Sequence, residues 1–231
     1  MFDKIRRSAS RAVKRAVGDA VEDEAERQVD RQVDKARSKV QSDIDESVDK
    51  TVSSATKGMK VQKKITGSLI TDFDKFKQSW EKKATEPEES VFHFLMAAYN
   101  YCKDPKIGEP MVTLILSKKH NQEDPSSPSG LRLGPTNKGL MNHMREDINI
   151  AKSYLGGNYK DDYKFDEKKL AMDLLVVKDE GKYANVIIQS GGKDNPTPVT
   201  LAKNKDNQWK ITEFSSIATG CRKPSSKEDD F

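Results

Sequence analysis

The chain has 231 residues, of which 34% are hydrophobic and 34% charged, a balance that excludes one large core but supports a core of moderate size. The formal net charge of +4 is unevenly distributed. Residues 1–18 have six basic and one acidic side chain, whereas residues 19–57 have seven basic and eleven acidic ones, so the local asymmetry says more about partners than the overall charge does.

Cysteine spacing and hydropathy bear on the cellular compartment. Cys102 and Cys221 lie 119 positions apart and form no Cys-x-x-Cys pair. We interpret them as reduced thiols in a reducing compartment, with a disulfide bond as the alternative. The sequence has no run of about 18 apolar residues that would span a bilayer, and no apolar secretory signal. We therefore expect a cytoplasmic protein, with peripheral membrane association as the open alternative.

Residues 1–18, which we name the basic tip, have the pattern of an amphipathic helix, with an apolar stripe flanked by arginine and lysine. Such a helix can lie on an anionic membrane surface. Because the stripe is mostly alanine and valine, burial alone would give weak membrane binding, and packing against a partner helix is the alternative. The residues predicted to face a membrane or a partner are Phe2, Ile5, Arg7, Arg11, Val13, Lys14 and Val17.

The helical pattern continues after the tip, with rows of apolar, acidic and basic side chains at a spacing of four residues. Neighbouring rows of opposite charge favour ion pairs along the helix surface. The pairs Val29/Val40 and Val33/Ile44 are eleven residues apart, a spacing that favours straight or slightly right-handed packing over a leucine-type coiled coil. We predict one extended amphipathic helix over residues 1–57 that self-associates or binds a protein partner.

A mainly helical segment follows a linker predicted over residues 58–67. Apolar spacing, capping residues and proline positions define its elements. In chain order these are a helix over Thr71–Lys83, a helix with a capping box at Thr85–Glu88, a helix over Met111–Leu116, a surface loop over Gln122–Pro135 and a helix over Asn137–Leu155.

Alternating apolar side chains from Leu170 onward predict antiparallel strands joined as a meander. The four strands are expected around Leu170–Val176, Val186–Gln189, Val199–Leu201 and Trp209–Thr212. The predicted fold class is therefore α+β, with a helical layer packed on a four-stranded antiparallel meander sheet, preceded by the long charged amphipathic N-terminal helix. The globular domain spans residues 68–224, and residues 225–231 are predicted to form a disordered acidic tail.

Several motifs in this domain resemble those of a family of bacterial domains of unknown function. The motifs are Glu86-Pro-Glu-Glu, Lys152-Ser-Tyr-Leu-Gly-Gly157, Ser190-Gly-Gly-x-Asp-x-Pro-x-Pro-Val-Thr-Leu201 and Gly220-Cys-Arg-Lys-Pro224. The resemblance covers about residues 84–224 and leaves out the N-terminal helix. It implies no activity, ligand or catalytic residue.

No motif in the sequence indicates catalysis or a cofactor. The histidines His93, His120 and His143 are scattered, so we expect no metal site. The glycine-rich segments lack the spacing of a phosphate-binding loop, and Ser215-Ser216 is not part of a nucleophile elbow. We therefore expect no catalytic residues and no cofactor.

The candidate ligand-binding residues lie in the predicted sheet. The backbone amides of Ser190, Gly191 and Gly192 are candidates for binding an anion or a peptide edge, and the alternative is a hairpin that needs glycine for its geometry. Tyr183 and Trp209 are candidates for lining a small pocket between sheet and helices, and core packing is the alternative for both.

These features predict a non-enzymatic interaction protein. Its N-terminal helix would self-associate or dock on a membrane surface or a partner, and its α+β domain would bind a protein or small ligand. The first alternative is a small-molecule enzyme with a pocket between the sheet and the helices. The second is a nucleic-acid-associated protein that uses the basic tip. Nucleic acid is the less favoured partner because the acidic residues 19–57 repel phosphate and no aromatic platform accompanies the arginines.

Overall fold

The computed structural model of the chain describes residues 60–228. The predicted helix over residues 1–57, with its candidate surface from Phe2 to Val17, lies outside the described residues. None of the helices in residues 60–228 is long and apolar enough to cross a membrane.

The described residues form helices and an antiparallel sheet, which confirms the predicted α+β class. In chain order the elements are β1 (Lys63–Gly67), α1 (Phe73–Lys83), α2 (Pro87–Lys103), α3 (Pro105–Ile115), β2 (Asn121–Glu123), β3 (Leu131–Leu133), α4 (Pro135–Glu146), α5 (Asn149–Ser153), β4 (Leu170–Asp179), β5 (Tyr183–Gln189), β6 (Thr197–Lys203), β7 (Trp209–Glu213) and α6 (Ser215–Ala218). Short 3-10 turns lie at Lys118–His120, Tyr159–Asp161 and Ser225–Lys227.

The main sheet has five strands in the order β1-β4-β5-β6-β7, and every neighbouring pair is antiparallel. The predicted meander corresponds to β4 to β7, but the predicted number of four strands is wrong. The additional strand is β1, which lies in the segment predicted to be a linker. Its single buried apolar side chain, Ile65, is paired with Met172 of β4, and one apolar residue is too weak a pattern to predict a strand.

Helix α2 is the centre of the domain because every residue from Ser90 to Cys102 is buried. A helix that is apolar on all sides must be enclosed by other elements. The inward residues of the sheet, such as Val186, Leu201 and Trp209, join the same core as α2. The predicted cover of one sheet face by the preceding helices is therefore confirmed.

The start of α2 differs from the predicted capping box. Glu86 is the N-cap residue, and its side chain makes no capping hydrogen bond. The helix begins instead with Pro87, whose fixed φ suits the first helical position and whose missing N–H needs no partner there.

The segment Gln122–Pro135 is not a plain surface loop. It contributes most of a short hairpin in which β2 pairs with β3. Thr113 Oγ1 lies 2.8 Å from Ser129 Oγ, and the Leu133 N–H donates to Glu109 Oε1 over 2.9 Å. These bonds hold the hairpin against α3, a tertiary constraint that the proline-rich composition does not reveal.

The single helix predicted over Asn137–Leu155 is interrupted, and α4 and α5 are separate helices. The break lies at Asp147, whose backbone is extended at φ −129° and ψ 90°. Its Oδ1 accepts the N–H of Asn149 over 3.1 Å. Aspartate competes with helical backbone bonding in this way and so favours a new helix start.

The predicted disordered tail is ordered at its beginning. Ser225–Lys227 forms a 3-10 turn, and the Ser226 N–H donates to Asp162 Oδ1 over 3.0 Å. Residues 229–231 lie outside the described residues.

The close approach of α2 and α3 gives a stability prediction. A Cβ atom at Gly108 would overlap the backbone nitrogen and Cα of Tyr101. Replacing Gly108 by alanine is therefore expected to lower the free energy of unfolding by about 1–3 kcal/mol, the usual cost of overpacking. Urea denaturation measures this change.

Gly139→Ala in α4 is the matched control, because a Cβ atom there meets nothing within 4 Å. Alanine is the better helix former, so this variant is expected to gain about 0.5–1 kcal/mol. Equal effects of the two substitutions would contradict the close helix contact.

Candidate functional site

A cleft of about 470 Å³ opens beside the β7 edge of the sheet. It lies where the end of α3, the β2–β3 hairpin and the turn between β6 and β7 meet. We name it the Lys210 cleft, and its lining residues are Thr113, Leu114, Leu116, Ser117, Lys118, Ser129, Leu131, Ala202, Lys203, Asn204, Lys205, Asp206, Gln208, Lys210 and Thr212.

Lys210 is held in a fixed position in this cleft. Its neighbours in β7, Trp209 and Ile211, are buried in the core, so the alternation of the strand directs Lys210 away from the core. Lys210 Nζ donates to the carbonyl oxygen of Leu114 over 2.7 Å and lies 4.0 Å from the centroid of the Trp80 ring. The accepting carbonyl is among the last of α3, where no intrahelical partner exists.

The environment disfavours the charged form of Lys210. The pKa of its amine is lowered from 10.5 to about 8, mainly by burial and to a smaller extent by the positive charge of Lys118, while Asp206 and Glu81 oppose the shift. The carbonyl of Leu114 and the face of Trp80 both favour an ammonium group. Desolvation outweighs them because the side chain is largely enclosed.

The remaining charges of the cleft are mostly positive. Lys118, Lys203 and Lys205 line it together with Lys210, whereas Asp206 is the one carboxylate in the lining. None of the ion pairs between described residues includes any of these four lysines. The cleft therefore carries an excess of positive charge that no carboxylate of residues 60–228 neutralises by direct contact.

The turn between β6 and β7 is rigidly built. Asn204 Oδ1 accepts the N–H groups of Asp206 and Gln208 over 3.0 and 2.8 Å, and Asn207 adopts the left-handed region at φ 58°. Asparagine side chains commonly accept backbone N–H groups in turns, and asparagine tolerates the left-handed region better than most residues. One wall of the cleft is thus shaped before any ligand arrives.

The predicted site at Ser190, Gly191 and Gly192 lies elsewhere, in a buried corner of the domain. The Gly191 N–H donates to the Ser153 carbonyl over 2.7 Å, and the Gly192 N–H donates to Ser190 Oγ over 3.0 Å. Ser190 Oγ in turn donates to Ser153 Oγ over 2.7 Å. The idea of an anion site on exposed amides does not fit this geometry, because both glycine amides already have partners inside the protein.

Close packing explains why glycine occurs in this corner. A Cβ atom at Gly191 would overlap the carbonyl oxygen of Gly157, and one at Gly192 would overlap the Tyr163 hydroxyl. That hydroxyl donates to the carbonyl of Arg222 over 2.6 Å. The two Gly-Gly motifs and the Gly220–Pro224 segment therefore meet here and form one packed junction.

A polar cavity of about 190 Å³ adjoins this junction and is lined in part by Gly157 and Gly191. Lys64 Nζ lies 3.2 Å from Asp173 Oδ1 in its wall, in ion-pair contact but without hydrogen-bonding geometry. The lysine neutralises the carboxylate, so we assign no ligand to this cavity.

Tyr183 and Trp209 are not brought together in a pocket. Trp209 is fully buried, and its Nε1–H donates to the Thr85 carbonyl over 3.0 Å. Tyr183 is 52% exposed on β5. Neither side chain lines the Lys210 cleft or the smaller cavity, so the packing alternative describes Trp209.

The Lys210 cleft is not apparent from the amino-acid sequence. Its lining comes from three segments that are far apart in the chain. Lys210 itself has the pattern of an ordinary outward residue between two apolar ones. A weak signal was present, since four of the eight residues from Lys203 to Lys210 are charged and they flank a strand with a buried tryptophan.

Histidine, cysteine and acidic side chains form no group of three or more that would hold a metal ion anywhere in residues 60–228. His93 is buried in α2, where its Nε2 lies 3.0 Å from Ser79 Oγ and its Nδ1 lies 2.8 Å from the Glu89 carbonyl. Burial lowers its pKa. This histidine has the environment of a core residue.

The ionisation of Lys210 gives a prediction about pH. The folded-state pKa is lowered from 10.5 to about 8, so the unfolded chain binds more protons between these values and the free energy of unfolding rises with pH there. Lys210→Met lacks this contribution. The stability of the variant relative to the original chain is expected to fall by about 1–3 kcal/mol between about pH 7 and about pH 10.

Urea denaturation at several pH values measures this difference, in which the titration of all other groups cancels. A difference that stays constant with pH would show that the amine is not held in a desolvated site.

Comparison with known proteins places the chain in a family. No curated protein and no solved structure matches it. A family model described as "Domain of unknown function (DUF6935)" matches residues 68–225, well over half of the chain. This match agrees with the predicted resemblance to a family of domains of unknown function, and it leaves out the N-terminal segment. The chain therefore belongs to the DUF6935 family.

Proposed function

We propose that this protein is a non-enzymatic binding protein whose Lys210 cleft takes a small anionic molecule with an apolar body. The observation that carries the proposal is the set of four lysines around one cavity with a single carboxylate beside them. A ligand with a phosphate, sulfonate or carboxylate group would supply the negative charge that the described residues do not provide.

The size and lining of the cleft support this proposal. Its volume of about 470 Å³ lies within the range of about 300–1,000 Å³ that small-molecule sites occupy. Leu114, Leu116 and Leu131 give it an apolar wall, and serine and threonine hydroxyls lie beside them. An apolar wall with a few polar groups is the usual composition of a ligand site.

A catalytic role for a pocket between sheet and helices has less support. The side chains at that interface, including Leu95, Val186 and Leu201, are fully buried members of the core. A packed interior offers no place where a substrate meets reacting groups. We therefore favour binding over catalysis.

A pair of related probes tests the proposal. Pyridoxine 5′-phosphate combines an aromatic ring with a phosphate, and pyridoxine has the same ring without the charge. Calorimetry is expected to show binding of the phosphate only. Lys203→Met and Lys210→Met are each expected to weaken that binding by about 10- to 150-fold, since a charge-assisted hydrogen bond contributes about 1.5–3 kcal/mol.

Lys138→Met is the control for this measurement, because Lys138 is exposed on α4 and does not line the cleft. Its affinity is expected to match that of the original chain. Equal weakening by all three substitutions would indicate a general effect of net charge and would contradict a site at Lys210.

The N-terminal residues support a second proposal, that the chain self-associates through residues 2–57. The apolar positions Ile5, Val13 and Val17 share one predicted helix face, and oppositely charged rows follow them. Because small apolar side chains favour helix packing more than membrane insertion, we favour self-association over docking on an anionic membrane.

Substitutions in the full chain test this second proposal. Ile5→Asp, Val13→Asp and Val17→Asp together are expected to convert an oligomer into a monomer in sedimentation equilibrium, because a charge on that face would have to be buried on assembly. The combination Arg7→Gln, Arg11→Gln and Lys14→Gln is expected to leave assembly intact. A full chain that is monomeric, or that floats with anionic vesicles and loses this property in the Gln variant, would contradict self-association in favour of membrane docking.

A further inference from the structure

We propose that Lys210 captures its ligand covalently, by forming a reversible imine with an aldehyde or ketone group on the anionic molecule. This inference rests on the proposed function of the Lys210 cleft. It narrows the ligand class to anionic carbonyl compounds, with the anionic group held by the neighbouring lysines and the carbonyl group directed to Lys210.

The position of the amine carries the proposal. Lys210 Nζ is fixed by its 2.7 Å hydrogen bond to the Leu114 carbonyl and by the Trp80 ring at 4.0 Å. A neutral amine has two N–H bonds and one lone pair. One N–H is enough to keep the bond to the Leu114 carbonyl, and the lone pair is then left for attack on a carbonyl carbon bound in the cleft that Lys210 lines.

Burial favours the neutral form of the amine, and the charged groups around it act in opposite directions. Lys118, in the 3-10 turn that follows α3, repels a second positive charge, whereas Asp206 of the β6–β7 turn and Glu81 of α1 attract it. Burial is the largest influence, and the pKa of about 8 leaves an appreciable neutral fraction near neutral pH. Lysines desolvated in this manner are the ones that form imines in proteins.

The reaction is balanced by the groups present. The neutral amine attacks the carbonyl carbon, a C–N bond forms, and the C=O electron pair moves to oxygen. A proton passes from nitrogen to that oxygen and gives a carbinolamine. The hydroxyl group then leaves with a proton as water while the C=N bond forms, so one amine and one carbonyl give one imine and one water without any oxidant or reductant.

A structural role for Lys210 is the competing explanation. In that case the side chain serves only to bond the last carbonyls of α3, as a lysine at a helix C-terminus commonly does. A cap of this kind would be stronger as a fully charged ammonium group. The two explanations differ in one measurable property, which is the preference of a carbonyl probe for this lysine over the others.

Pyridoxal 5′-phosphate is the test probe because it adds an aldehyde to the ring and phosphate of pyridoxine 5′-phosphate. The full chain is treated with less than one equivalent of probe at about pH 8, near the pKa of the amine. Sodium cyanoborohydride then delivers hydride to any imine and fixes it as a secondary amine, and peptide mapping by mass spectrometry locates the label. Lys210 is expected to carry about tenfold more label than any other lysine, including the exposed Lys138.

The outcomes separate this inference from the proposed function. Binding of pyridoxine 5′-phosphate with label spread evenly over surface lysines would overturn the imine and leave the anion site intact. Binding of neither phosphate would overturn both. The Lys210→Arg variant keeps the charge but has no amine that forms an imine, so it is expected to retain pyridoxine 5′-phosphate affinity within about threefold and to lose the preferential label. The label distribution on the original chain decides the question even if this variant does not fold.

Discussion

The burial of α2 on all sides is the constraint on which the rest of the domain depends. A helix without a solvent face needs both apolar cover and a partner for each polar group that it buries. Trp80 Nε1–H donates to Ser90 Oγ over 3.2 Å, and Asn100 Nδ2 donates to the Ile70 carbonyl over 2.8 Å. The Tyr101 hydroxyl donates to Asn142 Oδ1 over 2.8 Å. Three different segments are thereby fixed around one helix, and the sheet closes the remaining side.

The Lys210 cleft is a consequence of how this enclosure ends at the β7 edge. The Trp209 side chain is buried in the core, and its backbone N–H donates to the Ala84 carbonyl over 2.7 Å. The backbone N–H of Ser117 donates to the Ile211 carbonyl over 2.8 Å. These bonds place β7 between the end of α1 and the end of α3. Lys210, which lies between Trp209 and Ile211, therefore contacts the C-terminal end of α3. The β2–β3 hairpin forms the opposite wall of the cleft.

Much of the sheet and most helices follow from local patterns, because alternation in β4 to β7 and the apolar face of α1 depend only on neighbouring residues. What the sequence does not reveal depends on distant contacts. Strand β1 has one buried residue, Ile65, and exists because β4 offers it a partner. Likewise Ser190–Gly192 has the composition of a ligand loop, yet its glycines serve a packed junction. Lys210 has a site-like environment only because Leu114 and Trp80, 96 and 130 positions away, surround it.

The junction formed by Gly191, Gly192, Tyr163 and Arg222 also constrains when the domain matures during synthesis. The Tyr163 hydroxyl donates to the carbonyl of Arg222, 59 residues later in the chain. The Trp209 Nε1–H donates to the carbonyl of Thr85, 124 residues earlier. Because chains emerge from the ribosome with the N-terminus first, the contacts that enclose α2 are complete only after nearly the whole domain has been translated.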